Sequence, residues 1–239
     1  MGETRYAVVN IDKLTYAGNL ESLAALVGDP RYSFEQVDIC DGPAIATLFS
    51  RYRPCGIIHL AAESHVDRSI GTTKLAGERA DEEVGGGWLV LRTSWVYGLH
   101  GQNFLRSMLR LAREHEEIQV VNDQIGAPTW SRIFATATAQ ILAMALRDPV
   151  RSEVLAPAAG IYHLTAAGQT TWCEFARAIL ARDPARAEQR ARAVVGIATS
   201  EYSTAAERPR WSVLDGAKVA STFGIRLPQW NAQLDLVLG

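Results

Sequence analysis

Lysine, cysteine and long apolar runs are all scarce in this chain of 239 residues. The three cysteines (Cys40, Cys55 and Cys173) are an odd number at wide spacings with no C-x-x-C pair. That argues against a disulfide framework and against a four-ligand zinc site. No run approaches the roughly 18 apolar residues of a membrane-spanning helix, and Met1-Gly-Glu-Thr-Arg-Tyr6 has no signal-peptide core. The expectation is a cytoplasmic protein with no membrane partner. An excess of one charge is lacking as well, since 24 Lys+Arg face 26 Asp+Glu for a net charge of −2. Such a balance gives no electrostatic reason to bind nucleic acid. Only Lys13, Lys74 and Lys218 are lysines, so arginine dominates the basic residues, as in a GC-rich coding sequence. What is present is ordinary for a globular protein: 48% hydrophobic residues and a mean hydropathy of −0.02.

Apolar patterning predicts alternating strands and helices. Residues 7–11 (AVVNI) read as a buried parallel strand ending at Asp12, and 19–28 as a helix stopped by Gly28-Asp29-Pro30. Residues 32–39 alternate like a second strand, Asp41 can cap a helix over 43–52, and 56–61 form a third strand. A helix over 71–84, a strand over 88–93, a helix over 103–115, a strand over 117–121 and a helix over 131–147 follow. Residues 149–160 read as a loop and 162–164 as a short strand. Thr171-Trp-Cys-Glu174 fits a capping box opening a helix over 172–182, while 183–193 is weakly patterned. The expected fold class is α/β, a Rossmann-like parallel sheet with helices on both faces and a smaller C-terminal substrate lobe.

The loop that should hold a dinucleotide pyrophosphate is missing: no G-x-G-x-x-G or G-x-x-G-x-x-G occurs in these residues. The first visible strand then takes the place of the second strand of a Rossmann unit, as though the sheet lacked its first β-α unit. On that placement Asp12 sits where an acid accepts hydrogen bonds from the adenosine ribose. The competing reading of Asp12 is an exposed loop acid, and that of Asp38 a helix cap. Trp95, in Arg92-Thr-Ser-Trp-Val-Tyr-Gly98 at the end of a parallel strand, suits either stacking on a base or sugar or a place in the core. Asp123-Gln-Ile-Gly-Ala-Pro-Thr129 is a polar, turn-rich segment of the kind that carries function. The histidines have no spaced partners for a metal or triad role, and no metal ligand set is expected.

Two stretches resemble known families. Asn10-Ile-Asp-Lys-Leu-Thr-Tyr-Ala-Gly-Asn-Leu20 and His59-Leu-Ala-Ala-Glu-Ser-His-Val-Asp-Arg-Ser69 make residues 8–69 similar to the dTDP-glucose 4,6-dehydratases. Thr73-Lys-Leu-Ala-Gly-Glu78, Leu91-Arg-Thr-Ser-Trp-Val-Tyr-Gly98, Asn103-Phe104, Asp123–Thr129, Tyr162-His-Leu-Thr165, Arg208-Pro209 and Leu214-Asp215 make residues 71–239 resemble the dTDP-4-dehydrorhamnose reductases. Both are extended short-chain dehydrogenase/reductases of dTDP-L-rhamnose biosynthesis, so the chain reads as a fusion of two pathway neighbours.

The resemblance implies a truncated NAD(P)-binding domain over 1–122, lacking its first β-α unit and a later strand, and a substrate domain over 123–239, interleaved around 161–182. It implies NADPH or NADH as cofactor and a dTDP-sugar reduced at its C4 keto group, and it allows Mg²⁺ and a homodimer. Asp12, Asp38, Ile39, Ala61, Ala62 and Lys74 take the cofactor positions, with Lys74 also the catalytic lysine that lowers the pKa of a tyrosine four residues earlier. Here that earlier position holds Ile70. Trp95, Asn103, Gln124 and Arg208 take substrate positions, with Arg92 and Arg132 further candidates for the diphosphate. The alternatives are a catalytically impaired remnant that binds a nucleotide sugar or partner, and a residual dehydratase.

Overall fold

The computed structural model describes residues 6–14, 20–39, 41–63, 87–145, 158–202 and 208–239. Ile70, Thr73, Lys74 and the helix expected over 71–84 lie outside the described residues, as does most of the expected loop 149–160. The chain divides into two compact units, 1–55 and 56–239. The division expected at residue 122 is one between cofactor and substrate halves.

In the first unit, β1 (Val8–Ile11) runs parallel to β2 (Tyr32–Glu35), with Val8 opposite Tyr32 and Ile11 opposite Glu35. The strand expected over 32–39 stops at Glu35, because the Val37 amide turns back to the Glu35 carbonyl at 3.1 Å and leaves the ladder. Leu20–Leu26 winds as a 3-10 helix where an α-helix was expected. A run this short gains little from α-propagation before Gly28, at φ 91°, turns the chain. Asp41 caps α1 (Gly42–Tyr52) by accepting the Ala44 amide at 3.1 Å, with Pro43 in the first turn.

The second unit holds a parallel sheet in the order β3 (Ile57–Glu63), β4 (Trp88–Ser94), β9 (Gly160–His163). Leu89, Val90 and Leu91 of the central β4 are fully buried, as a continuous apolar run in a covered parallel strand requires. Against β4 and β9 pack α3 (Ser131–Ala145) through Phe134, Ala137 and Ile141, and α5 (Ala217–Phe223) through Val219. Between β4 and α3 the chain makes β5 (Val96–Tyr97), α2 (Phe104–Glu114), β6 (Glu117–Val121), β7 (Ile125–Gly126) and β8 (Thr129–Trp130).

A second core forms around α2 and α4 (Trp172–Ala181), which follows β10 (Thr170–Thr171). Leu105, Met108 and Ala112 of α2 recur at helical spacing and meet Phe175, Ala176 and Ile179 of α4. The C-terminal α6 (Trp230–Leu238) adds Leu234 and Val237. β6 pairs in parallel with β11 (Ala193–Ile197), which begins at the end of the weakly patterned 183–193 stretch. Only half of the expected capping box forms: Thr171 accepts the Glu174 amide at 3.1 Å, but the Glu174 carboxylate pairs with Arg177 instead of reaching back.

Candidate functional site

The second unit contains a cavity of about 610 Å³ where the ends of β5, α2, β6 and α4 meet the segments 199–202 and 208–212. Its volume suits a nucleotide-sized ligand. Trp95 stands on the wall in the left-handed region at φ 49°, a conformation costing roughly 1–3 kcal/mol for a bulky residue and held only where the surroundings over-determine it. Three contacts do so. The Trp95 carbonyl accepts the Thr129 amide at 3.2 Å, and its indole stacks on Trp172 with centroids 3.6 Å apart and planes 8° from parallel. Gly126 lies so close that a Cβ there would come within 2.3 Å of the indole. Only 9% of Trp95 is exposed, so it is chiefly a core tryptophan with a face on the cavity.

The remaining expected substrate residues fall on the same cavity but differ in what they offer. Asn103 caps α2: its Oδ1 accepts the Arg106 amide, and its Nδ2 donates to the Gly98 and His100 carbonyls at 2.9 and 3.1 Å. Both amide hydrogens are thereby committed to the backbone. Gln124 is buried on the wall and donates from Nε2 to Thr199 Oγ1 at 3.1 Å. Arg208 lines the cavity without a hydrogen bond or ion pair to any described residue. Arg110 also lines it and is paired with Glu114. Arg92, within β4, and Arg132, whose guanidinium lies 5.9 Å from the Trp130 ring, are not on the wall.

Trp172, Thr199 and Tyr202 also line the cavity and lie outside the motifs that carry the resemblance. Trp172 was visible only as the first residue of a helix, and Thr199 meets its partners from 75 or 76 positions away. Tyr97 is no substitute acid. It lies in the core outside the cavity, and burial pushes its phenol above the ordinary tyrosine range, so it stays protonated.

The expected cofactor residues are less complete. Asp12 follows β1 as an exposed acid and accepts the Leu14 amide at 2.8 Å, which leaves its second oxygen for a ribose hydroxyl. Asp38 is paired with Lys13 at 3.0 Å, and Ile39 is exposed. Ala61 and Ala62 lie in β3 opposite Arg92 and Thr93. Lys74 is outside the described residues. The sequence holds no G-x-G-x-x-G turn of the kind that grips a dinucleotide pyrophosphate. Among the described residues no group of three or more His, Cys, Asp or Glu side chains is placed to hold a metal ion, and Mg²⁺ has no support. No helix among them is long and apolar enough to cross a membrane.

An α/β chain with parallel sheets and a nucleotide-sized cavity beyond the strand ends has the Rossmann-like architecture of the short-chain dehydrogenase/reductases. More narrowly, the chain belongs to the RmlD substrate binding domain family, which it matches over residues 68–239. Residues 1–80 match the GDP-mannose 4,6 dehydratase family instead.

A dTDP-4-dehydrorhamnose reductase of Burkholderia thailandensis is 47% identical over 169 residues, covering 70% of this chain and 56% of the relative. One from Escherichia coli is 40% identical over 176 residues, covering 70% of this chain and 54% of the relative. A dTDP-glucose 4,6-dehydratase of Neisseria meningitidis is 55% identical over 94 residues, covering 39% of this chain and 26% of the relative. The chain thus spans about half the length of the curated reductases it matches.

In three dimensions it is similar to the dTDP-4-dehydrorhamnose reductase of Bacillus anthracis in complex with NADP, with TM-score 0.71 and 22% identity over 97% of this chain and 98% of that one. It is also similar to the dTDP-glucose 4,6-dehydratase of the same organism in complex with NAD, with TM-score 0.68 and 14% identity over 99% and 88% of the two chains.

Proposed function

We propose that the chain is a dTDP-sugar-binding protein of the dTDP-4-dehydrorhamnose reductase type, serving the NAD(P)H-dependent reduction of a C4 keto group in dTDP-L-rhamnose biosynthesis. The observation that carries this reading is the cavity. It lies wholly within the stretch that matches the reductases, and Trp95, Gln124 and Arg208 share its wall. Arg208 supplies an unpaired cation for a diphosphate, the stacked Trp95 and Trp172 give a rigid apolar wall, and Gln124 gives directional hydrogen bonding. The setting of this reading is cytoplasmic, and a homodimer is compatible with it.

A second reading, a catalytically impaired binder, is favoured by one feature of the sequence. Four residues before Lys74 stands Ile70, which has no proton to give the developing hydroxyl. General acid catalysis contributes about 100- to 10,000-fold to such a step. The test is NADPH oxidation with dTDP-4-dehydrorhamnose. We expect turnover below that of intact reductases by that factor, and a gain in Ile70→Tyr wherever the cofactor binds. Turnover equal to ordinary reductases and unchanged in Lys74→Ala would overturn the placement of the reacting groups.

A further inference from the structure

Gln124, Thr199 and Asp123 form a chain of hydrogen bonds whose direction is set at one end. The Asp123 carboxylate has only acceptors to offer, and its Oδ1 takes both the Thr199 amide hydrogen, at 3.0 Å, and the Thr199 hydroxyl hydrogen. These bonds, chiefly the one from the Thr199 hydroxyl, hold the Asp123 carboxyl below the usual carboxylate range, so it is ionised at neutral pH. A threonine hydroxyl has one hydrogen. Once that is given to Asp123, Oγ1 can only accept, and the group facing it must be the nitrogen of the Gln124 amide. The amide therefore has one orientation. Its nitrogen is turned to Thr199, and its carbonyl oxygen, which accepts no hydrogen bond from a described residue, is left for the cavity that Gln124 lines.

We infer that Asp123 and Thr199 are positioning residues that hold Gln124 with its side-chain carbonyl presented to a hydrogen-bond donor of the bound nucleotide sugar. This rests on the reading of the cavity as a dTDP-sugar site. A diphosphate has no donor at neutral pH, so the donor is a sugar hydroxyl or the N3–H of the pyrimidine. Without Thr199 the amide is free to turn by 180° and present its NH₂ group, which repels the same donor. Specificity then comes from the direction of the relay, because an acceptor left unmatched in a buried site penalises a ligand lacking the donor.

The test is calorimetric titration of the full chain with dTDP-L-rhamnose, dTDP and N3-methyl-dTDP. Thr199→Val is expected to weaken dTDP-L-rhamnose binding about tenfold, and Thr199→Ser to restore it to within about twofold. Because Thr199 acts through Gln124, the double variant Thr199→Val/Gln124→Met should bind no more weakly than Gln124→Met alone. If N3–H is the donor, N3-methyl-dTDP binds the wild type weakly and the variants do not change it. If a rhamnose hydroxyl is the donor, dTDP is insensitive to the variants and dTDP-L-rhamnose is sensitive, and if the deoxyribose 3′-hydroxyl is the donor all three ligands are sensitive. Each of these patterns supports the relay.

Wild-type affinity in Thr199→Val, or losses that add in the double variant, overturns it. Should Thr199→Val fail to fold, Thr199→Ala decides, since it removes the hydroxyl that fixes the Gln124 amide and adds neither bulk nor charge. Binding as weak as in Gln124→Met supports the inference, and wild-type binding overturns it. No affinity of the wild type for any of the three ligands removes the reading of the cavity and the relay together.

Discussion

The two units of this chain are unequally equipped. Among the described residues of 1–55, Leu48 is the one buried hydrophobic side chain, and the sheet is the β1–β2 pair. Residues 56–239 hold two apolar clusters, a cavity with polar groups on its wall, and strands covered by helices. A two-stranded sheet is marginal without further strands or a packed helix, whereas clusters of this size can hold strained residues such as Trp95 in place. The lesson is that the cavity forms where its walls are anchored by a core of their own. The substrate-side residues have that anchoring here. Of the cofactor-side residues, Asp12, Asp38 and Ile39 sit in the thinly packed unit, at the surface or beside it.

That contrast can be broken first through the cores. Phe175 is fully buried and meets Tyr97, Phe104 and Trp230 ring to ring. Phe175→Ala should cost about 3–5 kcal/mol and Leu48→Ala about 2 kcal/mol, the low end for buried leucine. Urea unfolding followed by far-UV circular dichroism, which sees both units where the six tryptophans all lie in 56–239, measures both, and equal losses would erase the distinction. Gly126→Ala comes next. Its Cβ must push the Trp95 indole aside, costing about 1–3 kcal/mol and weakening dTDP binding, whereas Gly42→Ala, where a Cβ meets nothing within 4 Å, should leave binding unchanged.

The smallest effect is on pH. Burial pushes the Asp183 carboxyl up, but hydrogen bonds from Gln189, the Ala185 amide and Arg113 outweigh it and hold it below the usual range. A carboxyl lowered in the folded state stabilises fully above its unfolded pKa and loses that contribution as pH falls through the folded value. Thermal midpoints should therefore be flat from pH 7 to about 5 and fall below about pH 4, with a shallower fall in Asp183→Asn.

Much of this was legible in local pattern and some was not. β4 could be read because three consecutive buried apolar residues leave no other role, and α2 because its leucines and Met108 share one face. Asp41 announced its cap, and Gln124 and Arg208 were reached through the motifs that carry the resemblance. The 3-10 winding of 20–26 and the early end of β2 were not legible, since short segments can close their backbone hydrogen bonds in several ways. β11 was missed because its partner β6 lies far away in sequence, and Thr199 for the same reason. Asn103 was legible as a motif but not as a cap, because the motif does not say which atoms its amide meets.

We propose that the cavity of the second unit binds a dTDP-sugar while this chain binds a dinucleotide weakly. Parallel calorimetric titrations of the full chain with dTDP-L-rhamnose and with NADPH test it most directly. We expect saturable dTDP-L-rhamnose binding in the micromolar range and NADPH binding far weaker than in the reductases, since the sequence holds no G-x-G-x-x-G turn to grip a pyrophosphate. Low-micromolar NADPH binding together with no measurable affinity for dTDP-L-rhamnose would contradict it.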